Sequence, residues 1–158
     1  MPCAELASKS DFLERKANVE KELDLSSLRN AVLFYQEALK AYGELVDGGA
    51  TATQRELLRS GLIQTFETTY ELCWKSMKRW LEMNFSPDEV NGVNRRELYR
   101  ICAENSLIDD VDQWMEFHQA RNRASHTYNE AVAEEVFSVA GRFLPYAQDC
   151  LKQLEERA

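Results

Sequence analysis

Residues 51–84 read TATQRELLRSGLIQTFETTYELCWKSMKRWLEMN, and apolar or small side chains recur along them at intervals of three and four. This spacing places one continuous stripe on a single helix face, as in an amphipathic helix that packs on a core. Thr51 or Thr53 supplies the hydroxyl of an N-cap, and the pattern stops near Asn84. The segment therefore predicts a long helix. Its stripe consists of Leu58, Leu62, Thr65, Phe66, Thr69, Leu72, Cys73, Met77, Trp80 and Leu81.

Start and stop signals predict further helices on both sides of this one. Pro145 falls inside the last of them, where Gly141 is expected to relax the resulting kink. The start signals are Ser26 or Ser27, Ser86 with Pro87 and Glu89, Asn94 with Glu97, Asp109 or Asp110, and Asn129. The stop signals are Gly48 with Gly49, Gly92, and Asn105 with Ser106.

Four of the predicted helices are long and amphipathic, and their connections are short. Such helices bury their stripes most economically by packing against one another in alternating directions. We therefore predict an all-α fold, an antiparallel up-and-down four-helix bundle with short extra helices. The bundle is expected to span residues 25–158, and residues 1–24 are expected to form an N-terminal arm or a short helix.

Composition and charge limit the classes of protein to which the chain can belong. Its 158 residues, of which 44% are hydrophobic, suffice for the core of one domain. The absence of a long apolar run and of a basic segment leading into an apolar one predicts a cytoplasmic protein with no membrane partner. A formal net charge of −8 is unfavourable for unselective coating of nucleic acid, which depends on phosphate neutralisation. Any RNA contact is therefore expected to be local.

The cysteines and glycines give no sign of a metal or cofactor site. Cys3, Cys73, Cys102 and Cys150 are widely separated and form no CxxC pair, which argues against zinc and against a disulfide framework. The last three fall on apolar stripes, so we expect small buried hydrophobic side chains. No glycine-rich phosphate loop occurs either. We predict neither a metal nor a cofactor.

Residues 121–128, RNRASHTY, depart from this apolar pattern. The helical stripe Val111, Trp114, Met115 and His118 would continue at Asn122, Ser125 and His126, where a core would have supplied leucine. The guanidinium of Arg121 stays charged and forks onto phosphate oxygens, while the imidazole of His126 exchanges a proton near neutral pH. This pair of side chains suits phosphodiester chemistry.

The spacing of Arg121, His126 and Tyr128 resembles the motif of HEPN domains, in particular those encoded as partners of a minimal nucleotidyltransferase. Together with residues 71–75, ELCWK, the segment looks like the nucleotidyltransferase substrate-binding family, a branch of the HEPN proteins, over residues 25–156. This resemblance implies a homodimer in which a second copy helps to complete the site. It also implies a separate, cognate minimal nucleotidyltransferase chain as partner.

The resemblance implies a ribonuclease toxin that its partner silences. His126 would then deprotonate the ribose 2′-hydroxyl or protonate the leaving oxygen, while Arg121 stabilises charge on the transition state without a metal. Asn122 would orient the phosphate or His126, and Tyr128 would be the residue that receives AMP. Capping or core hydrogen bonding remains an alternative for Asn122, as does packing at a helix end for Tyr128.

Two other functions stay open from the sequence. The chain could be a non-catalytic substrate-binding or nucleotide-binding subunit of a two-chain nucleotidyltransferase, in which Trp74 and Lys75 add a stacking surface and a charge. The alternative is structural: Trp74 packs against a neighbouring helix and Lys75 is solvated. The chain could also be a helical assembly module. Within the motif, Arg121 and Arg123 are candidate RNA contacts. Basic residues outside the motif are candidate RNA contacts or ordinary solvated side chains. They are Lys75, Lys78, Arg79, Arg95, Arg96 and Arg100.

Overall fold

The computed structural model describes residues 22–158, which form six α-helices and one short 3₁₀ turn, with no strand. The all-α prediction is confirmed, whereas most of the predicted arm, residues 1–24, lies outside the described residues. No helix in this part of the chain is both long and apolar enough to cross a membrane. The helices are α1 Ser26–Asp47, α2 Ala52–Asn84, α3 Pro87–Val90, α4 Arg95–Glu104, α5 Val111–Arg123 and α6 Glu130–Arg157, with the 3₁₀ turn Ala124–His126 following α5.

The four longest helices, α1, α2, α5 and α6, form the bundle. Helix α2 packs along α1 and α6, and α5 packs on α6 and α2. The shorter α4 lies against α5 and α2, at one side of the bundle. This position of α4 matters for function, because it brings the start of α4 close to the middle of α2 and to the second half of α5.

Most of the predicted helix starts are confirmed by capping bonds. The Thr51 hydroxyl accepts a bond from the Gln54 N–H at 3.2 Å, and the Gln54 side chain accepts one from the Thr51 N–H at 2.9 Å. At the starts of α4, α5 and α6, the side chains of Asn94, Asp110 and Asn129 accept hydrogen bonds from backbone N–H groups of the first turn.

The first residue of α1 and the path of α6 through Pro145 could be determined only from the structure. Neither Ser26 nor Ser27 caps α1: the N-cap position is Leu25, and an Asp24 oxygen accepts a bond from the Ser26 N–H at 2.9 Å. Leu25 is buried, so the chain turns into the helix one residue earlier than the serines indicate. Helix α6 contains Pro145, as predicted, and continues through it to Arg157.

The core is aromatic at its centre. Phe143 of α6 is fully buried and lies with ring centroids 4.9 to 6.2 Å from five other aromatic rings. These rings come from α1, α2 and α5, so one side chain connects all four helices of the bundle. They belong to Tyr35, Phe66, Tyr70, Trp114 and Phe117.

The cysteines at 73, 102 and 150 are buried, as predicted. Burial raises the pKa of the Cys102 thiol to about 12. The pKa of Cys150 is also raised, chiefly by its hydrogen bond with Cys73 and then by burial. The Cys102 and Cys150 thiols are therefore protonated at neutral pH and are poor nucleophiles.

Candidate functional site

The second half of α5 positions the motif. The buried face of this helix consists of Trp114, Phe117 and Ala120, and Ala124 continues it into the 3₁₀ turn. Asn122, Ser125 and His126 are exposed, in agreement with the predicted end of the apolar stripe at these positions. Ala124 packs in a small cluster with Ile63 of α2 and Val136 of α6. Arg121 is left half-buried on the side of α5 that faces α2.

Arg121 is held by two carboxylates of α2. Its Nη1 atom lies 3.2 Å from a Glu67 oxygen, and its Nε atom lies 3.4 Å from a Glu71 oxygen. The Arg121 side chain is 31% exposed, and its buried Nε makes no hydrogen bond of good geometry. The two ion pairs fix the direction of the guanidinium, while its remaining N–H groups are left for an anion.

Glu71 connects Arg121 to the ammonium group of Lys75. Its other oxygen accepts a hydrogen bond from the indole N–H of Trp74 at 3.1 Å and lies 3.4 Å from the Lys75 ammonium. The Arg95 guanidinium stacks on the Trp74 ring, with its central carbon 3.5 Å from the ring centroid. Trp74 therefore packs against a neighbouring helix, as one of its two sequence interpretations predicts.

A polar network lies beneath these side chains. The Tyr70 hydroxyl is hydrogen-bonded to the Tyr99 hydroxyl and lies 3.1 Å from Nδ1 of His118. The Nε2 atom of His118 lies 3.3 Å from the side-chain nitrogen of Asn122. The Asn122 amide donates to Nε2, which requires that the Nδ1–H group donates to Tyr70. The network thus joins α2, α4 and α5.

Burial, together with two nearby positive charges, keeps His118 neutral. Burial lowers its pKa below the ordinary value of 6.5, and the nearby guanidinium groups of Arg95 and Arg121 lower it further, although Glu71 opposes them. Burial also raises the pKa of Tyr70 to about 12. At neutral pH the network is therefore uncharged, and His118 acts as a hydrogen-bonding group that fixes Asn122.

His126 and Tyr128 lie on the exposed turn that follows α5. Their rings meet edge to face with centroids 6.1 Å apart. Tyr128 is 87% exposed, and it is the most accessible of the six tyrosines. Tyr35, Tyr70 and Tyr99 are fully buried.

Ion pairs hold both ends of this turn. Arg59 of α2 donates two hydrogen bonds to Glu130, at 2.6 and 2.9 Å, and this pairing lowers the pKa of the carboxylate. Arg123 is paired with Glu135. These contacts place the turn between α5 and α6 against α2 and restrict where His126 and Tyr128 can lie.

The four residues predicted from the motif fall into two groups. Arg121 and Asn122 belong to the cluster with α2 and α4, whereas His126 and Tyr128 lie on the exposed turn. The Asn122 amide contacts His118 and not His126. Sequence reasoning missed the parts played by Glu67, Tyr70, Tyr99 and His118. A histidine at a core position of α5 was the one available signal, and it was assigned to the apolar stripe.

Most basic residues that the sequence nominated for RNA contact are neutralised within the chain. Each of the following pairs brings nitrogen and oxygen within 3.6 Å. They are Lys75 with Glu71, Lys78 with Glu82, Arg96 with Asp112, Arg100 with Glu97 and Arg123 with Glu135. Exposed pairs of this kind contribute little stability, but they reduce the local positive potential.

The model of one protein family matches residues 23–156, nearly the whole described part of the chain. Its description is "nucleotidyltransferase substrate binding protein like". The chain belongs to this family. The match agrees with the resemblance that the Arg121 to Tyr128 segment and residues 71–75 indicated. It also includes both carboxylates that hold Arg121.

Individual relatives of the family agree with this assignment. The chain is 33% identical over 104 residues to the probable ribonuclease HepT of Haemophilus influenzae, which covers 65% of this chain and 71% of that protein. A solved H. influenzae structure is described as revealing the fold of a substrate-binding domain of a nucleotidyltransferase. Its TM-score with this chain is 0.76 and its sequence identity is 27%. The match covers 84% of this chain and 99% of that structure's chain. A Thermus thermophilus crystal structure has a TM-score of 0.50 and 26% identity, with 78% and 97% coverage.

Proposed function

We propose that this chain is a HEPN-type ribonuclease that cleaves RNA without a metal ion. It acts as the toxin of a toxin–antitoxin pair in the cytoplasm, and a cognate minimal nucleotidyltransferase silences it by adding AMP to Tyr128. The observation that carries the proposal is an arginine near the end of α5 that two carboxylates hold in place, followed by an exposed histidine on the turn after this helix. Similarity to a probable ribonuclease supports it.

Cleavage requires a proton acceptor, a proton donor and charge stabilisation. The ribose 2′-oxygen attacks phosphorus, the bond to the 5′-oxygen breaks, and a 2′,3′-cyclic phosphate forms. His126 takes the 2′-hydroxyl proton or gives a proton to the leaving oxygen. Arg121 donates hydrogen bonds to the phosphate oxygens as negative charge develops on them. Glu67 and Glu71 hold the guanidinium in place for this purpose.

The phenol of Tyr128 is chemically suited to receive AMP. The phenol oxygen attacks the α-phosphorus of ATP, pyrophosphate leaves, and the phenolic proton passes to solvent. The product carries a phosphodiester and a nucleoside two residues beyond His126. Its negative charge competes with RNA phosphate for the donors of Arg121.

The proposed enzyme is a homodimer, because one copy offers a single exposed histidine, His126, where cleavage needs both an acid and a base. A two-fold axis near the end of α5 would bring the equivalent His126 of a second copy to the same groove. Light scattering at micromolar concentration should give twice the mass of the chain. A monomer mass under conditions in which the protein cleaves RNA would contradict this arrangement.

The alternative function is substrate or nucleotide binding for a partner nucleotidyltransferase, without turnover. The descriptions of the family and of the solved H. influenzae structure favour it. Incubation of the purified protein with labelled tRNA or mRNA in EDTA separates the two functions. We expect cleavage products ending in a cyclic phosphate. Intact RNA, together with tight binding of a nucleotide, would favour the alternative.

A further inference from the structure

Arg95 differs from the other basic residues of the site. It is the first residue of α4, it is half-buried, and its guanidinium lies flat on Trp74. No carboxylate of residues 22–158 pairs with it, and its buried Nη1 atom has no hydrogen-bond partner there. The neighbouring Arg96 and Arg100, by contrast, each pair with an acidic residue.

An unpaired buried donor on a charged group is costly. Proteins normally pair such groups with an acceptor, because water no longer solvates them. The stacked guanidinium also lies within hydrogen-bond reach of the Tyr70 and Tyr99 hydroxyls, but these oxygens are neutral, and no carboxylate of residues 22–158 neutralises its charge. The Tyr70 and Tyr99 hydroxyls bond to each other. The positive charge of Arg95 is therefore left to be paired by an anion from outside residues 22–158.

Further donors lie close to Arg95. The network of Tyr70 and His118 fixes the Asn122 amide, which uses one of its two N–H groups on His118 and keeps the other. Trp74 and Glu71 link Arg95 to Arg121 through the indole hydrogen bond at 3.1 Å and the ion pair at 3.4 Å. The effect of both guanidinium groups on the pKa of His118 agrees with this proximity.

We propose that Arg95 and Asn122, with His118 as a positioning residue, bind a second phosphate of the RNA backbone, next to the phosphate that Arg121 contacts. The subsite rests on the proposed function, because it treats Arg121 as the contact to the scissile phosphate. It would give a net acidic protein the local positive surface that RNA binding needs, without a general basic patch. A guanidinium whose charge no carboxylate pairs suits a phosphate better than a point charge does, because its planar fork can contact two oxygens.

Binding of a short fluorescent single-stranded RNA to the His126→Ala protein tests the subsite without cleavage. Fluorescence anisotropy is measured at several salt concentrations. Arg95→Gln should weaken binding about tenfold, as expected for the loss of a charge-assisted bidentate contact. It should also reduce the slope of log affinity against log salt by about 0.7, the value for one phosphate on a single strand. Arg96→Gln, a matched change one residue away, should alter neither quantity.

Two further measurements keep the test decisive. Circular dichroism checks that Arg95→Gln is folded. If it is not, Arg95→Lys replaces it. For Arg95→Lys we expect weaker RNA binding with a retained salt slope, because the charge remains. Equal affinity of the Arg95 variant and the Arg96→Gln control overturns the subsite, as does a parent protein that binds no RNA. Failure of the ribonuclease proposal would appear separately, as absent cleavage with Arg95-dependent binding intact.

Discussion

Arg121→Ala and His126→Ala are each expected to abolish detectable RNA cleavage while leaving the helical content unchanged. Loss of a group that stabilises transition-state charge costs about 10² to 10³ in rate, and loss of a general acid or base costs about 10² to 10⁴. His126 is exposed and Arg121 is half-buried beside the core, so neither side chain builds the bundle. The measurements are initial cleavage rates in EDTA and far-ultraviolet circular dichroism.

Matched variants separate chemistry from charge. Arg123→Ala removes an arginine two residues away whose ion pair with Glu135 is exposed, and it should retain near-parental cleavage. Arg121→Lys keeps the charge but loses the fork that contacts two phosphate oxygens, so we expect an intermediate rate. If both alanine variants cleave at the parental rate, the proposed catalytic roles are wrong, whatever the folding data show.

Local chemistry made most of the fold predictable. Thr51 with Gln54, Asn94 with Glu97 and Asp110 cap their helices as the sequence indicates, because a cap depends only on residues three apart. The start of α1 escaped this reasoning. Burial of Leu25 is a tertiary effect, and it determines where the chain turns into the helix.

Helical periodicity predicts which side chains of α5 are buried only as far as the 3₁₀ turn that begins at Ala124. Phe117 and Ala124 are buried and His126 is exposed, although a single straight stripe would have continued through His126. The helix tightens into a 3₁₀ turn at Ala124, and this changes the direction of the following side chains. Periodicity therefore located the segment where the apolar pattern ends, but it did not predict that Phe117 and Ala124 carry the buried face past that point.

The contacts that position the site were beyond sequence reasoning. Glu67 and Glu71 follow a helical spacing on α2 that any solvated face would show, and only the bundle brings them to Arg121. The stacking of Arg95 on Trp74 likewise joins α4 to α2. Both arrangements depend on how helices pack, and that information is not contained in the periodicity of either helix alone.

Tyr128→Phe is expected to prevent AMP addition at this position and to leave an enzyme that the partner no longer silences. The change removes the phenol oxygen, the only atom of the side chain that can attack ATP, and keeps the aromatic ring beside His126. Cleavage before exposure to the partner should therefore remain near the parental rate. Intact-mass spectrometry after incubation with the minimal nucleotidyltransferase and ATP measures the modification, and the EDTA assay measures silencing.

Accessibility explains why one tyrosine is favoured over the others. Tyr128 is 87% exposed, whereas burial raises the pKa of Tyr35, Tyr70 and Tyr99 and removes their hydroxyls from the surface. A partner active site can enclose Tyr128 without unfolding the bundle. The exposed turn, held at its two ends by ion pairs, presents the phenol in a restricted range of positions.

Tyr42→Phe is the matched control. Tyr42 lies on α1, in a different helix from the motif, and it is half-buried against Phe137 of α6. This variant should gain AMP and lose cleavage just as the parent does. If Tyr128→Phe still gains AMP and is silenced to the parental extent, then the partner acts at another residue. If it is silenced without any added mass, the partner inhibits by binding alone, and the charge competition at Arg121 is not the mechanism.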